Sequence, residues 1–496
     1  MFEEKILKPI IDSINRFGNL NAFCINEEFY SYNDLAVQIS KIRLAIQKES
    51  IVSKNVGVVA NDDIFTYASI FALWLEGLAY VPLHPQQPIE RNLEIISQAE
   101  ICMVITSSNP SLYSTYTIIE SSKLVFENYL LEPKITSNNE LAYILFTSGS
   151  TGKPKGVMIT RNNIGAFMDS FWKTDIQINE TDKCLQCFDL TFDVSVQGYL
   201  VPLTKGACCY TVPHGQIKYI YTSALIEDHK LTFAAMAPSM LRYMKPYFDE
   251  MDASSLKTCI LTAEACPLKL MEEWYECAVN TEIYDFYGPT EATIYCTYYK
   301  LTKGGFNKSL NGIISIGKQM DNVTAIIVDD NFTIVSQGNK GELCVAGEQV
   351  TKGYWNNPLR NKESFFEKDY NGKLLRFYRT GDLCYIESDS NIMYSGRIDN
   401  QAKIQGFRVE LGEIEFYVRE FLKDKNAVAI AFENLQELTE IALFIESDNI
   451  DTTDLFLYLR SKLPSYMIPS KVFFEKIFPL NTNDKIDRNK LKTLIK

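Results

Sequence analysis

No stretch of the 496-residue chain stays apolar long enough to cross a bilayer. The longest, around Phe71, is interrupted by Glu76 and Gly77, short of the roughly 20 residues a spanning helix needs. Excess positive charge is also missing: the net charge is −13, which argues against an interface built on neutralising nucleic-acid phosphates. The start, Met1-Phe2-Glu3-Glu4-Lys5, brings two acids and no small-residue cleavage site, so it does not read as a secretory leader. Repeats of fixed period and low-complexity tracts are absent as well. The twelve cysteines lack the short spacings of a disulfide framework, as expected of a reducing compartment, the cytoplasm by default. Cys184 and Cys187 form a C-x-x-C, but three histidines in the whole chain give it little to complete a zinc site. These thiols are therefore expected to act as small buried hydrophobes. Neither a membrane nor a nucleic acid is expected as partner.

What is present is a globular composition, 46% hydrophobic and 22% charged, in a chain too long for one core. Short branched apolar runs at Val56–Ala60, Ile101–Ile105 and Thr258–Thr262 alternate with segments of helical length. This pattern predicts an α/β fold with buried, largely parallel strands. Around Ser395–Asn400 a strand-like Asn391-Ile-Met-Tyr394 gives way to Ser-Gly-Arg-Ile-Asp-Asn. A large N-terminal domain over 1–398, rich in parallel strands, and a small α+β domain over 399–496 are expected. The last 36 residues hold 8 Lys plus Arg against 3 Asp plus Glu, a balance of +5, which suits either a phosphate or a solvated surface.

The segment Leu141-Ala-Tyr-Ile-Leu-Phe-Thr-Ser-Gly-Ser-Thr-Gly-Lys-Pro-Lys-Gly-Val157 is a hydrophobic strand running into a polar loop. Gly149, Gly152 and Gly156 permit close backbone approach; Thr147, Ser148, Ser150 and Thr151 offer hydroxyls; Lys153 and Lys155 offer charge. A triphosphate suits such a loop. It is not a Walker A loop, which needs four residues between its glycines before Gly-Lys-Ser/Thr.

That string resembles the phosphate-binding loop of the adenylate-forming superfamily, which includes acyl-CoA synthetases, luciferases and nonribosomal peptide synthetase adenylation domains. Tyr287-Gly-Pro-Thr-Glu291 resembles the superfamily's aromatic-Gly-x-Thr-Glu motif, which implies that Thr290 contacts the α-phosphate and Glu291 holds Mg²⁺. Tyr378-Arg-Thr-Gly-Asp382 resembles its ribose-binding segment, with Asp382 accepting both hydroxyls. By the same resemblance Asp285, Tyr287 and Arg397 join the ATP site. Gly341-Glu-Leu-Cys-Val-Ala-Gly-Glu348 and Gly353-Tyr-Trp-Asn-Asn-Pro358 are similar to the strand and turn between those motifs in the amino-acid-activating branch. The stretch from Gly396 to Glu415 resembles the hinge segment, with Asp399 as the hinge about which a mobile C-terminal domain swings and Gly406 on a pantetheine tunnel. Asn483-Asp-Lys-Ile-Asp-Arg488 resembles the closing motif Asn-Gly-Lys-Ile-Asp-Arg, with Asp484 in place of Gly and Lys485 as the catalytic lysine. Taken singly, each of these is a plain turn or a solvated lysine; their order from Leu141 to Arg488 is what excludes that reading.

Phe192-Asp-Val-Ser-Val-Gln197 resembles the amino-acid branch, in which an aspartate, here Asp193, pairs with the substrate ammonium. Apolar neighbours make a buried carboxylate awaiting a cation the better reading than a surface aspartate. The pocket implied by the resemblance is Asp193, Val194, Gln197, Ala235, Leu261, Ala263, Phe286, Ile294 and Tyr295, with Lys485. A small or apolar amino acid is expected, proline first and alanine second. The chain ends eight residues after Arg488 without a Gly-x-Ser attachment segment. A separate carrier protein bearing phosphopantetheine is therefore the expected acceptor. The rivals are a CoA ligase for a small carboxylic acid and a degenerate nucleotide-binding homologue. His84, His214 and His229 match no functional motif and are expected to serve packing.

Overall fold

The computed structural model describes every residue except Ile51, Ser150, Thr151, Asp424, residues 481–485 and Lys496. Contacts divide the chain into two compact units. One comprises Met1–Pro85, Ile96–Leu145 and Gly156–Ile398; the other comprises Gln86–Ile95, Phe146–Lys155 and Asp399–Lys496.

The first unit holds a nine-stranded sheet whose six middle strands, Glu282–Tyr287, Thr258–Leu261, Phe233–Met236, Lys183–Gln186, Cys208–Thr211 and Asn21–Ile25, are mutually parallel. Antiparallel strands flank them, Thr297–Lys300 and Lys318–Gln319 on one side and Glu28–Ser31 on the other. A six-stranded sheet includes Met103–Thr106, Asn55–Val59 and Ala79–Leu83 in parallel. The apolar runs at 56–60, 101–105 and 258–262 thus become interior strands, because a strand covered on both faces has no polar side to alternate with. A five-stranded antiparallel sheet is built around Lys373–Ile386, with Ile392–Arg397 on one flank. The strand expected to end near Tyr394 continues through Gly396 to Arg397, with Gly396 at a φ of +127° that glycine adopts readily.

The apolar run around Phe71 forms the helix Ile64–Leu75, capped by Asp63 and buried on every side, so it is a core helix. Glu76, which ends it, is buried too. Arg43 pairs with it at 2.8 Å while donating to the carbonyls of Leu130 and Glu132, so the guanidinium offsets a charge that would otherwise be costly to bury.

The second unit is α+β. A hairpin, Gln401–Ile404 with Phe407–Glu410, leads into the helix Leu411–Leu422 and a sheet of Ala427–Glu433, Thr439–Glu446 and Lys471–Glu475. Leu443, Ile445, Ile414, Val418 and Leu459 fill its core. Cys184 and Cys187 are buried, as expected of small hydrophobes; nine of the other ten cysteines are buried as well, and Cys102 is exposed. No helix among the described residues is long and apolar enough to cross a membrane.

Candidate active site

Strand Glu282–Tyr287 supplies three of the expected site residues by simple alternation, since successive side chains point to opposite faces. Phe286 faces the cluster that includes Val194, Ala235, Ile294 and Tyr295. Leu261, paired across the sheet with Asp285 and Met236, packs instead in the cluster of Met236 and Cys259. Thr262, the next residue along, hydrogen-bonds Tyr295.

Beyond Tyr287 the chain turns sharply. A Cβ on Gly288 would stand 2.4 Å from the Ile294 carbonyl oxygen and 2.7 Å from Tyr295 Cα, so only glycine lets the turn pass this backbone. Thr293, Ile294 and Ala263 all have positive φ, 56°, 72° and 70°. For a buried β-branched residue such as Ile294 this is a strained state that surrounding contacts must hold. Gln349 supplies them: its side-chain amide donates to the Ala292 and Tyr295 carbonyls at 3.4 and 2.7 Å, and its backbone carbonyl accepts from the Thr293 hydroxyl. Gln349 follows directly on the segment 341–348 and carried no signal of its own.

Asp193 begins the helix Asp193–Leu203 and is 6% exposed. The Thr290 hydroxyl hydrogen-bonds its carboxylate, while Oδ2 has no partner. Burial, reinforced by the nearby Glu291, raises its pKa to about 7 despite Thr290 and the backbone amides of Val194 and Ile294. Such a group favours either a proton or a cation. Gln197 Oε1 accepts from the Tyr295 hydroxyl at 3.4 Å, and its Nε2 is buried without a partner. Tyr295 packs on Phe286 with centroids 4.9 Å apart. The pocket lining is otherwise apolar and aromatic.

Glu291 is fully buried, and its Oε1 accepts a 2.6 Å hydrogen bond from the Tyr354 hydroxyl. Tyr354 lies in the Gly-Tyr-Trp turn singled out in the sequence, although nothing there signalled its partner. Asp382 sits on the long strand Lys373–Ile386. Its Oδ2 accepts from the Tyr287 hydroxyl at 2.5 Å and its Oδ1 from Arg397 Nη1 at 2.8 Å. Tyr287, Arg397 and Asp382 are thus gathered in one cluster, with lone pairs left on both carboxylate oxygens for further donors.

In the second unit, Ser148 donates to the Arg408 carbonyl at 2.9 Å and accepts from the Glu410 amide at 3.0 Å. The Gly149 amide donates to Glu413 Oε2 at 3.1 Å, and Lys155 pairs with Glu410 at 3.2 Å. Two carboxylates thus sit on donors of the kind that bind phosphate oxygens. A Cβ on Gly149 would meet the Lys153 carbonyl at 2.0 Å, so the loop's tight turn requires glycine. Tyr417 donates to the Gly152 carbonyl, and the buried Thr147 hydroxyl has no partner. Asp399 opens the C-terminal segment of this unit, and its carboxylate accepts from the Gln401 amide. Ser150, Thr151 and Lys485 lie outside the described residues.

A family model described as AMP-binding enzyme matches residues 12–355. Gramicidin S synthase 1 of Brevibacillus brevis is 30% identical over 503 residues, 99% of this chain and 44% of the relative. Tyrocidine synthase 3 of Brevibacillus parabrevis is 31% identical over 445 residues, 88% of this chain and 7% of that protein. The chain spans less than half the length of these relatives. Among solved structures, the Vibrio cholerae adenylation domain AlmE in complex with glycyl-adenosine-5'-phosphate has a TM-score of 0.84 at 23% identity, covering 98% of this chain and 97% of that one. Holo-PA1221, an NRPS protein containing adenylation and PCP domains, has a TM-score of 0.85 at 21% identity, covering 98% and 84%. The α/β architecture is that of these structures.

Proposed function

Since the chain belongs to the AMP-binding enzyme family, we propose that it activates a free α-amino acid with ATP, releasing pyrophosphate, and passes the aminoacyl group to the phosphopantetheine thiol of a carrier protein. The observation that carries the amino-acid reading is Asp193, a buried carboxylate with one oxygen unpartnered beside apolar and aromatic side chains. An α-ammonium group would complete it; a plain carboxylic acid would leave it costly. Val194, Ala235, Phe286 and Ile294 offer no charge to a substrate side chain, which supports a small apolar residue, proline first and alanine second.

The substrate carboxylate would attack the α-phosphorus as charge builds on that centre and on the leaving pyrophosphate, so donors and cations must meet it. Glu291 offers a hard carboxylate oxygen oriented by Tyr354, which fits Mg²⁺ as it is commonly held beside substrate phosphates. When bound, that ion would neutralise phosphate charge. Thr290 would donate toward the α-phosphate, Asp382 would accept the ribose hydroxyls, and Asp285 and Tyr287 would border the nucleotide on the sheet face away from Phe286. Lys485 would meet the substrate carboxylate. For the loop to receive phosphates, Glu410 and Glu413 must leave it. Both follow Asp399, and this supports a swing about that residue in which adenylation and thioester formation use different faces of the C-terminal domain.

A pyrophosphate-exchange panel over free amino acids and simple carboxylic acids tests this reading. Exchange with one small apolar amino acid is expected. Exchange only with a non-amino acid would overturn the Asp193 argument in favour of a CoA ligase, and none at all would leave a nucleotide-binding homologue. Lys485→Ala is expected to depress adenylate formation strongly while sparing transfer from pre-made adenylate to a separately supplied holo-carrier.

A further inference from the structure

His84, Asp189 and His214 lie far apart in sequence and outside every motif that resembles the family's. In the first unit, one nitrogen of each ring and one carboxylate oxygen of Asp189 come within 4.8 Å of one another. The three side chains follow strand ends from two sheets: His84 follows Ala79–Leu83, Asp189 follows Lys183–Gln186, and His214 follows Cys208–Thr211. Parallel strands bring their C-terminal ends to one edge, so loop residues from different strands meet there.

We propose that these three residues form a zinc site. His84 Nε2 and Asp189 Oδ2 stand 2.6 Å apart and share one proton, which Zn²⁺ would displace to solvent. The outer contacts needed to orient the ligands are already made. Asp189 Oδ1 accepts from the Thr191 amide at 2.8 Å and its hydroxyl at 2.6 Å, which turns Oδ2 toward His84. His214 Nε2 lies 2.8 Å from the Ala60 carbonyl. A carbonyl can only accept, so Nε2 carries the proton and Nδ1 keeps the lone pair for a metal. Ligating histidines commonly donate their other ring nitrogen to a backbone carbonyl in this way. Two imidazoles and a carboxylate suit zinc, with water in the fourth position. Asp62 and Lys218 also lie close enough to act electrostatically on Asp189, and Lys218 donates to the Cys187 carbonyl. Bound zinc would tie the ends of the two sheets together and fix residues 187–192, the lead-in to the helix that begins at Asp193.

The test uses the full chain, stripped with chelator and titrated with Zn²⁺ alone by calorimetry, with Co²⁺ absorption reporting coordination. One saturable equivalent, a rise in Tm and a tetrahedral Co²⁺ spectrum are expected. His214→Ala and Asp189→Asn should each weaken binding by about 10–100-fold. His84→Gln, which keeps a donor toward Asp189 and so protects the fold, should do the same. Cys24→Ser is the control, because Cys24, Glu27 and His229 form the other such three-residue group among the described residues. No saturable zinc binding by the unaltered protein would overturn the proposal. So would binding that survives the His214 and His84 changes, or that disappears with Cys24→Ser. None of these readouts depends on the adenylation reading.

Discussion

The Asp193 pocket and the Asp382 cluster each centre on a buried aspartate, and they differ in how far the protein itself satisfies that charge. Asp382 has a tyrosine hydroxyl on one oxygen and a guanidinium on the other, so the folded chain holds it oriented before any ligand arrives. Asp193 has the Thr290 hydroxyl and an oxygen with no partner. Its ionised form is completed only by something brought in. The first arrangement is a prepared acceptor; the second is an incomplete ion pair, which selects strongly for a ligand carrying the missing cation.

Substitutions at the two sites should separate them, with the largest effect at Asp193. Asp193→Ala is expected to lower kcat/KM for the amino acid by about 100–1,000-fold, the size of a lost buried ion pair, while the KM for ATP stays within about twofold. An unchanged amino-acid KM would place the pocket elsewhere. Asp382→Asn should act on the other substrate, raising the KM for ATP by about 10–100-fold through loss of charge-assisted hydrogen bonds. Equal effects on both substrates in steady-state kinetics would erase the distinction. Tyr287→Phe removes one hydrogen bond to Asp382, worth about 1 kcal/mol, and should raise the KM for ATP by about fivefold.

The smallest effect concerns stability. Because the folded protein raises the Asp193 pKa to about 7 from an unfolded value near 3.9, the native state binds the proton more tightly. Stability is therefore lost as pH rises through that window. Asp193→Asn, which cannot ionise, should gain Tm over the unaltered protein progressively from about pH 4 to pH 7, as followed by thermal melts. Saturating amino acid should cancel the difference by stabilising only the aspartate form. A Tm difference independent of pH would show that Asp193 is satisfied within the protein, as Asp382 is.

The family motifs were legible because each concentrates unusual residues in a short window, as in Tyr287-Gly-Pro-Thr-Glu291. The interior strands were legible because burial on both faces demands an unbroken apolar run. Residues that act through distant partners were not. Tyr354 and Gln349 are ordinary in their own windows, and only their hydrogen bonds to Glu291 and to the 292–295 backbone connect them to the site. The face that Leu261 takes was illegible for a related reason. One step along a strand reverses the face a side chain occupies, and register with Asp285, not local sequence, fixes which face that is.

By itself, then, the sequence determined the class of fold, the order of the family motifs and the aspartate on which the proposed amino-acid recognition rests, because those depend on local composition and pattern. The tertiary structure alone decided which donors complete Asp382, that Asp193 Oδ2 has none, and that His84, Asp189 and His214 share one edge of the first unit. Such facts arise where strand ends distant in the chain are brought together, and no window of sequence contains them.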